Sequence, residues 1–219
     1  VDRMIARKDK VVAQSNDGIL WLLKKNKVAF FHGRGSFAGK ADDGWSVRVD
    51  GAAPAELVAT NVIVATGSVP RALPGTPFDG KLVLDNAGAL AMSAVPKRLG
   101  VVGAGVLEAL PVFLGAADEA VAKEAQKAFA KQGLAIHTGA KIASVASGKT
   151  GVTVEWTDAQ GAAQTSVFDR LIVSIGRMPN TAGLNAQAVG LELDERGRVA
   201  VDDDCRTNLA GVWAIGDVV

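Results

Sequence analysis

The chain has 219 residues, a formal net charge of +1, 48% hydrophobic residues and 21% charged residues. That length suits one large domain or two ordinary ones, and that composition excludes disorder and fibrous architecture. The small charge gives no reason to expect nucleic acid, no apolar run is long enough to span a membrane, and the single cysteine and two histidines rule out a disulfide, a redox dithiol or a multi-cysteine metal site within these residues.

Val1-Asp2-Arg3 opens inside a charged pattern without a signal-peptide signature or an initiator Met. The chain is therefore expected to begin mid-protein and to be cytoplasmic. Positions 1–27 are predicted as an amphipathic helix, with Ile5, Val12, Ile19, Leu22 and Leu23 near one face and Lys24, Lys25 and Lys27 at its end, where cations suit the dipole. The default reading is a scaffold element. An apolar run, Val28 to Phe31, leads to His32-Gly33-Arg34-Gly35.

A half-exposed strand is predicted at 45–49 after the turn signal Asp42-Asp43-Gly44, and a compact apolar strand at 61–65 running into Thr66-Gly67-Ser68. Positions 69–77 hold three prolines and no periodicity, which predicts a loop. A short strand at 82–84 precedes a short helix at 85–91, capped by Asp85 or Asn86. A strand at 98–102 ends in Gly103-Ala104-Gly105, and Leu107-Glu108 follow at once.

The clearest helix is predicted at 118–132, with Val121, Ala125, Ala128 and Phe129 as its apolar stripe and Gly133 as its C-terminal cap. Strands are predicted at 134–138 and 141–145. A hairpin of 151–156 with 165–168 turns at Asp158-Ala159-Gln160-Gly161. Strands at 171–174, 199–201 and 212–215 complete the series, the last ending in Gly216-Asp217. Strands that partly alternate with helices make an α/β organisation.

Three strands thus end in glycine signatures: Thr66-Gly67-Ser68, Gly103-Ala104-Gly105 and Ile215-Gly216-Asp217. Ligands of open α/β sheets bind at the carboxyl ends of strands, where glycine lets backbone approach a phosphate or a flat ring. One such signature alone is as often a plain turn. Three in this order are more specific.

The order and wording of these segments resemble the FAD- and NAD-dependent pyridine nucleotide–disulfide oxidoreductases, and within them the bacterial dihydrolipoyl dehydrogenases. The resemblance rests on Phe31-His32-Gly33-Arg34-Gly35, Val64-Ala65-Thr66-Gly67-Ser68, Val95 to Pro111, Val121 to Lys127, Ile175-Gly176-Arg177-Met178-Pro179-Asn180 and Val212 to Val219. It covers nearly the whole chain but less than half of a typical family member.

It implies partial Rossmann-like FAD/NAD(P)-binding domains of the three-layer ββα type: residues 1–96 as part of an FAD domain, 97–178 as an internally deleted NAD domain, and 179–219 as the return of the FAD domain. It implies FAD contacts at Gly35, Thr66, Gly67, Ser68 and Asp217. Gly103, Ala104, Gly105 and Val106 would approach NAD, Glu108 would take its adenosine ribose hydroxyls and disfavour a 2′-phosphate, and Ile142 and Gly176 would line the same site. The parent would be a homodimer that oxidises dihydrolipoamide on lipoyl domains of 2-oxoacid dehydrogenase complexes through a redox disulfide and FAD, reducing NAD. Two readings stand beside this one: a non-catalytic nucleotide-binding module or remnant, and a mercuric or glutathione reductase type, ranked lower because no basic residue adjoins Glu108.

Each residue also has a plain structural reading. Asp217 could cap a further helix, Glu108 could be a solvated turn residue, Arg177 could pair with a local carboxylate, and Cys205, Asp202-Asp203-Asp204, His32 and His137 could simply pack or face solvent. The sequence departs from the family in lacking a first Gly-x-Gly-x-x-Gly, the Cys-x4-Cys dithiol and the His-Glu pair, so no catalytic or metal residue is assigned and the isolated chain is expected to be inactive. It is also expected to be marginally stable.

The NAD fingerprint is itself cut. Only Gly103 to Val106 separate Val102 from Leu107, and four residues reach about 14 Å at most. A helical crossover of about twelve residues is roughly 18 Å long before the chain returns. The usual strand–helix–strand unit is therefore not expected here, and Glu108 falls far short of the usual spacing of about twenty residues after the first glycine.

Overall fold

The computed structural model describes residues 1–103 and 106–219. In chain order, α1 spans Asp2–Lys25, β1 Gly33–Ala41, β2 Gly44–Gly51, β3 Ala55–Ala59, β4 Val62–Val64, β5 Ser68–Pro70, β6 Val83–Leu84, α2 Asn86–Leu90 and β7 Leu99–Gly103. There follow β8 Leu107–Glu108, α3 Glu119–Lys131, β9 His137–Thr138, β10 Lys141–Ser147, β11 Val152–Thr157 and β12 Ala163–Phe168. The chain closes with β13 Arg170–Ser174, β14 Arg177–Pro179, α4 Ala186–Val189, β15 Val212–Ala214 and a 3-10 turn at Gly216–Val218. No helix of the described residues is long and apolar enough to cross a membrane.

The chain forms two compact units, one of residues 9–69 with 177–219 and one of residues 1–8 with 70–176. These junctions differ from 96/97 and 178/179, the domain limits expected from the sequence. The first is here called the meander unit and the second the parallel-sheet unit.

In the meander unit, β1, β2 and β3 form an antiparallel meander, and β4 pairs in parallel with β15 from far along the chain. Alternation in β2 sends Trp45 and Val49 inward, both 6% exposed. Phe37 meets Trp45 edge-on at 5.7 Å, and the Trp45 indole N–H donates to the Ala210 carbonyl at 3.0 Å. Val64, Leu184, Val199, Val212, Ala214 and Val218 complete this core.

In the parallel-sheet unit, five strands lie in the order β6-β13-β7-β8-β9, all parallel where paired. β13 is central, and Leu171 there is 0% exposed. A separate antiparallel sheet, β10-β11-β12, presents Val152, Val154 and Trp156 to the same core. Its hairpin turns where expected: the Asp158 carboxylate accepts from the Gln160 and Ala162 N–H groups, and Gly161 has φ +83°.

α3 starts at the Asp118 cap, whose carboxylate accepts from the Ala120 N–H at 2.9 Å. It ends as expected: the Gly133 N–H donates to Ala130 and the Leu134 N–H to Phe129, with Gly133 at φ +87°. α2 is capped by Asp85, which accepts from the Gly88 N–H.

Several expectations fail. Positions 69–77 are not wholly loop, because β5 pairs with β14. Proline is compatible with such a short edge strand. The strand predicted at 199–201 is reduced to an isolated Leu193–Val199 bridge, and the strand at 134–138 shrinks to β9. Val199 is buried without a ladder, so apolarity there reflected burial and not pairing. The predicted stripe of α3 is not its buried face: Val121 is 60% exposed and Ala122 alone is buried. α1 has no buried residue.

The short link between Val102 and Leu107 resolves differently from the reach argument. Among the described residues no helix stands between β7 and β8. Val102 and Leu107 are nevertheless parallel neighbours, joined by one register pair. The short reach that forbids a helical crossover permits a single rung.

Candidate functional site

Both units carry candidate positions at strand ends, but they hold them differently. In the meander unit, the segment after β4 is fixed by Asn180. The Asn180 N–H donates to the Gly67 carbonyl at 2.9 Å, its side-chain amide donates to the Thr66 carbonyl at 3.1 Å, and the Thr66 hydroxyl donates to the Asn180 carbonyl at 2.8 Å. Gly67, at φ +68°, has no atom within 4 Å of where a Cβ would stand, so its backbone is open to close approach.

Next along the chain, the Ser68 hydroxyl donates to the Asp217 carboxylate at 2.7 Å. Arg177 donates to the Ser68 hydroxyl and carbonyl, both at 2.6 Å, and its Nε stands 3.9 Å from the same Asp217 oxygen. Asp217 Oδ2 thus has protein partners, while Oδ1 takes no hydrogen bond from the described residues. These groups line a cleft of about 290 Å³ with Arg198 and Gly216. Asp217 makes no side-chain cap on its own short helix, and Arg177 does pair with a local carboxylate. Gly35, in β1 opposite Val49, lines a smaller, mainly apolar cleft with Phe37, Val64, Thr66 and Leu184.

In the parallel-sheet unit, Gly103, Glu108 and Ile142 line one cleft of about 590 Å³ at the carboxyl end of the sheet, together with Leu107, Lys141 and Ser174. Gly103 has φ +89°, and a Cβ there would overlap the Ser174 carbonyl. Only glycine suits both the backbone angle and the closeness of β13. The Glu108 carboxylate accepts from the Leu110 N–H at 2.9 Å, and its carbonyl accepts from the Ala140 N–H. Val106 is buried, its carbonyl taken by the His137 N–H. Gly176 follows β13 at φ +117° with open space at its Cβ position, but does not line this cleft. Ala104 and Gly105 lie outside the described residues.

The residues fit nucleotides in part. The backbone at Gly67 is open, Asp217 keeps one oxygen for a hydroxyl, and Glu108 stands at a strand's carboxyl end beside a bare glycine. Against this, among the described residues no helix stands between β7 and β8 to aim its N-terminus at a pyrophosphate.

Comparison with known proteins decides the family. A profile described as pyridine nucleotide-disulphide oxidoreductase matches residues 2–107 and again 106–219. The chain belongs to this family. The two matches meet at the Val106–Leu107 junction, where the fingerprint is cut.

Dihydrolipoyl dehydrogenase of Cupriavidus necator is 51% identical over 237 aligned positions, covering 100% of this chain and 49% of that protein. Since 237 positions hold only 219 residues of this chain, the relative has at least 18 residues within the matched region that are missing here. Dihydrolipoyl dehydrogenase 3 of Pseudomonas putida is 36% identical, over 99% of this chain and 50% of that one. Among solved structures, LpdA from Mycobacterium tuberculosis superposes with a TM-score of 0.85 at 28% identity, over 98% of this chain and 50% of that chain. The chain therefore spans about half the length of the relatives it matches.

Reading the sequence alone missed Asn180, Lys141 and Arg198 as members of these sites. Asn180 stood in the quoted Gly176 to Asn180 string, so a signal existed there. Nothing in the local pattern marked Lys141 or Arg198.

Proposed function

We propose that this chain handles the nucleotide cofactors of a flavoenzyme of the dihydrolipoyl dehydrogenase type, with residues 97–178 serving NAD and residues 1–96 and 179–219 serving FAD. Bound flavin and NAD would carry electrons onward from dihydrolipoamide in an enzyme whose redox disulfide and His-Glu pair are not among these 219 residues. Gly103, with Ala104, Gly105 and Val106 beside it, presents backbone to the pyrophosphate. Glu108 accepts hydrogen bonds from adenosine ribose hydroxyls and repels a 2′-phosphate, which favours NAD over NADP. Ile142 lines that site, and Gly176, just past the end of the neighbouring β13, stands outside the cleft itself. Asp217 accepts a ribityl hydroxyl, Gly35 lies along the adenine, and Thr66, Gly67 and Ser68 border the flavin. The whole enzyme is a cytoplasmic homodimer that takes its substrate from lipoyl domains of 2-oxoacid dehydrogenase complexes.

The observation that carries this reading is the cleft shared by Gly103, Glu108 and Ile142 at the carboxyl end of the parallel sheet. Calorimetry with NAD tests it. Heat that is lost in Glu108→Ala supports it, and no heat in either protein removes the NAD assignment.

A second reading, a non-catalytic nucleotide-binding module, is favoured by the pairing of Val102 with Leu107, only five positions apart, and by the single cysteine, Cys205. Mixing the chain with dihydrolipoamide, FAD and NAD tests whether these residues turn over by themselves. No NADH is expected from these residues alone, and measurable NADH would overturn that expectation.

A further inference from the structure

The parallel-sheet unit has a second cleft, of about 900 Å³, which none of the family-based assignments uses. It opens at the opposite end of the sheet from Gly103 and Glu108. Its walls include Lys97, just before β7, and Arg170, the first residue of β13, whereas the Gly103 cleft lies at the last residues of the same strands. Lys81 and Lys149 add two more cations.

The carboxylates at this end are already engaged. Asp79 accepts from the backbone N–H groups of Lys81, Leu82 and Val83 at 2.7–2.9 Å. Asp169 holds the Arg98 guanidinium and the Arg98 N–H, both at 3.0 Å. Asp85, close by in sequence, caps α2. Desolvation raises the Asp79 carboxyl, but the three N–H donors and Lys81 outweigh it, so Asp79 ends below its ordinary value and stays ionised. By contrast, the ammonium groups of Lys97 and Lys149 have no hydrogen-bond or ion-pair partner among the described residues. Four cations, Lys81, Lys97, Lys149 and Arg170, thus line the cleft against two ionised carboxylates, Asp79 and Asp169, which leaves it net positive, and Leu82, Met92 and Val95 add apolar lining.

We infer that this cleft binds a small phosphate-bearing anion, held by Lys97, Lys149, Lys81 and Arg170. An unpaired lysine at the rim of a concave wall attracts phosphate as a point charge, and several around one cleft act together. The phosphate could come from a free polyphosphate or from a nucleotide whose ring lies against Leu82, Met92 or Val95.

The test is a titration of the whole chain, followed by amide NMR, with inorganic tripolyphosphate in one arm and adenosine diphosphate in the other. The inference expects saturable shifts at residues 79–82, 92–97, 149–150 and 170 in at least one arm. It expects affinity to fall at least tenfold in the double variant Lys97→Glu/Lys149→Glu and to fall with added salt. Tighter binding of adenosine diphosphate would identify a nucleotide, and equal or tighter binding of tripolyphosphate a free polyphosphate. Glu108→Ala should leave these shifts intact, so loss of the NAD assignment and loss of this one are separable. Absence of shifts in this region in both arms, or shifts there that survive the double lysine variant unchanged, would overturn the inference.

Discussion

The two candidate cofactor regions are built by different means. In the meander unit the site is made by side chains that join distant parts of the chain. Ser68 meets Arg177 and Asp217, and Thr66 meets Asn180, across more than a hundred residues of sequence. In the parallel-sheet unit the site is made by backbone geometry. Gly103 has a left-handed φ against the Ser174 carbonyl, and Glu108 is steadied by the N–H of Leu110, two residues on. A side-chain site should lose its geometry one hydrogen bond at a time. A backbone site should fail at the glycine or at the strands that hold it.

The strongest way to break this contrast is at the centre of the parallel sheet. Leu171→Ala removes a fully buried side chain between β6 and β7, a change expected to cost about 2–5 kcal/mol. Hydrogen exchange should show lost protection in β6, β7 and β13 with the amides of β1 to β3 unchanged. Equal loss in both sets would mean that the units do not unfold separately.

Gly103→Ala should come next. It forces a Cβ into a left-handed backbone and against Ser174, which is expected to cost about 1–3 kcal/mol. Denaturant melts should show the loss, and the NAD heat should vanish with it. A full-strength NAD signal would refute the backbone origin of this site.

Smaller effects are expected where the hydrogen bonds are exposed. Ser68→Ala removes the link between Arg177 and Asp217, at an expected cost of about 0.5–1.5 kcal/mol. The readout is the Asp217 carboxyl resonance, which should move in Ser68→Ala and stay put in Glu108→Ala.

The last prediction concerns acid. The Arg98 guanidinium first, then the Arg98 backbone N–H, hold the Asp169 carboxyl below its ordinary value. For Asp158 the Ala162 N–H and then the Gln164 amide do the same. A carboxyl lowered by folding adds stability above the unfolded value of about 3.9, and loses it as pH falls through the lower folded value. Both groups, and Asp79, lie in the parallel-sheet unit. Acid below about pH 4 should therefore weaken that unit, and Asp169→Asn should flatten the acid limb of a pH-resolved melt.

Much of the fold was legible because its signals are local. The turn at Asp158 to Gly161, the Asp118 cap and the Gly133 stop each rest on one residue type that satisfies orphan backbone groups within a few positions. The failures came where neighbours decide. Val199 is apolar and buried without being in a strand, and β5 forms despite its proline because β14 lies beside it. For the candidate cleft, Gly103 was singled out by its glycine signature and Glu108 by the family resemblance, whereas Lys141 and Arg198 were not, since only folding brings them to the clefts.

By itself, then, the sequence determined the family wording, the glycine-ended strands, the caps and the turns, because these depend on backbone conformations a few residues long. It also determined the cut at Val106, since four residues cannot hold a helical crossover. Only the tertiary structure decided that Leu107 still pairs beside Val102, that Ser68 bridges Arg177 to Asp217, and that four cations share a cleft at the far end of the parallel sheet. Each of those depends on which distant strands become neighbours, and register between distant strands is set by packing of the whole core.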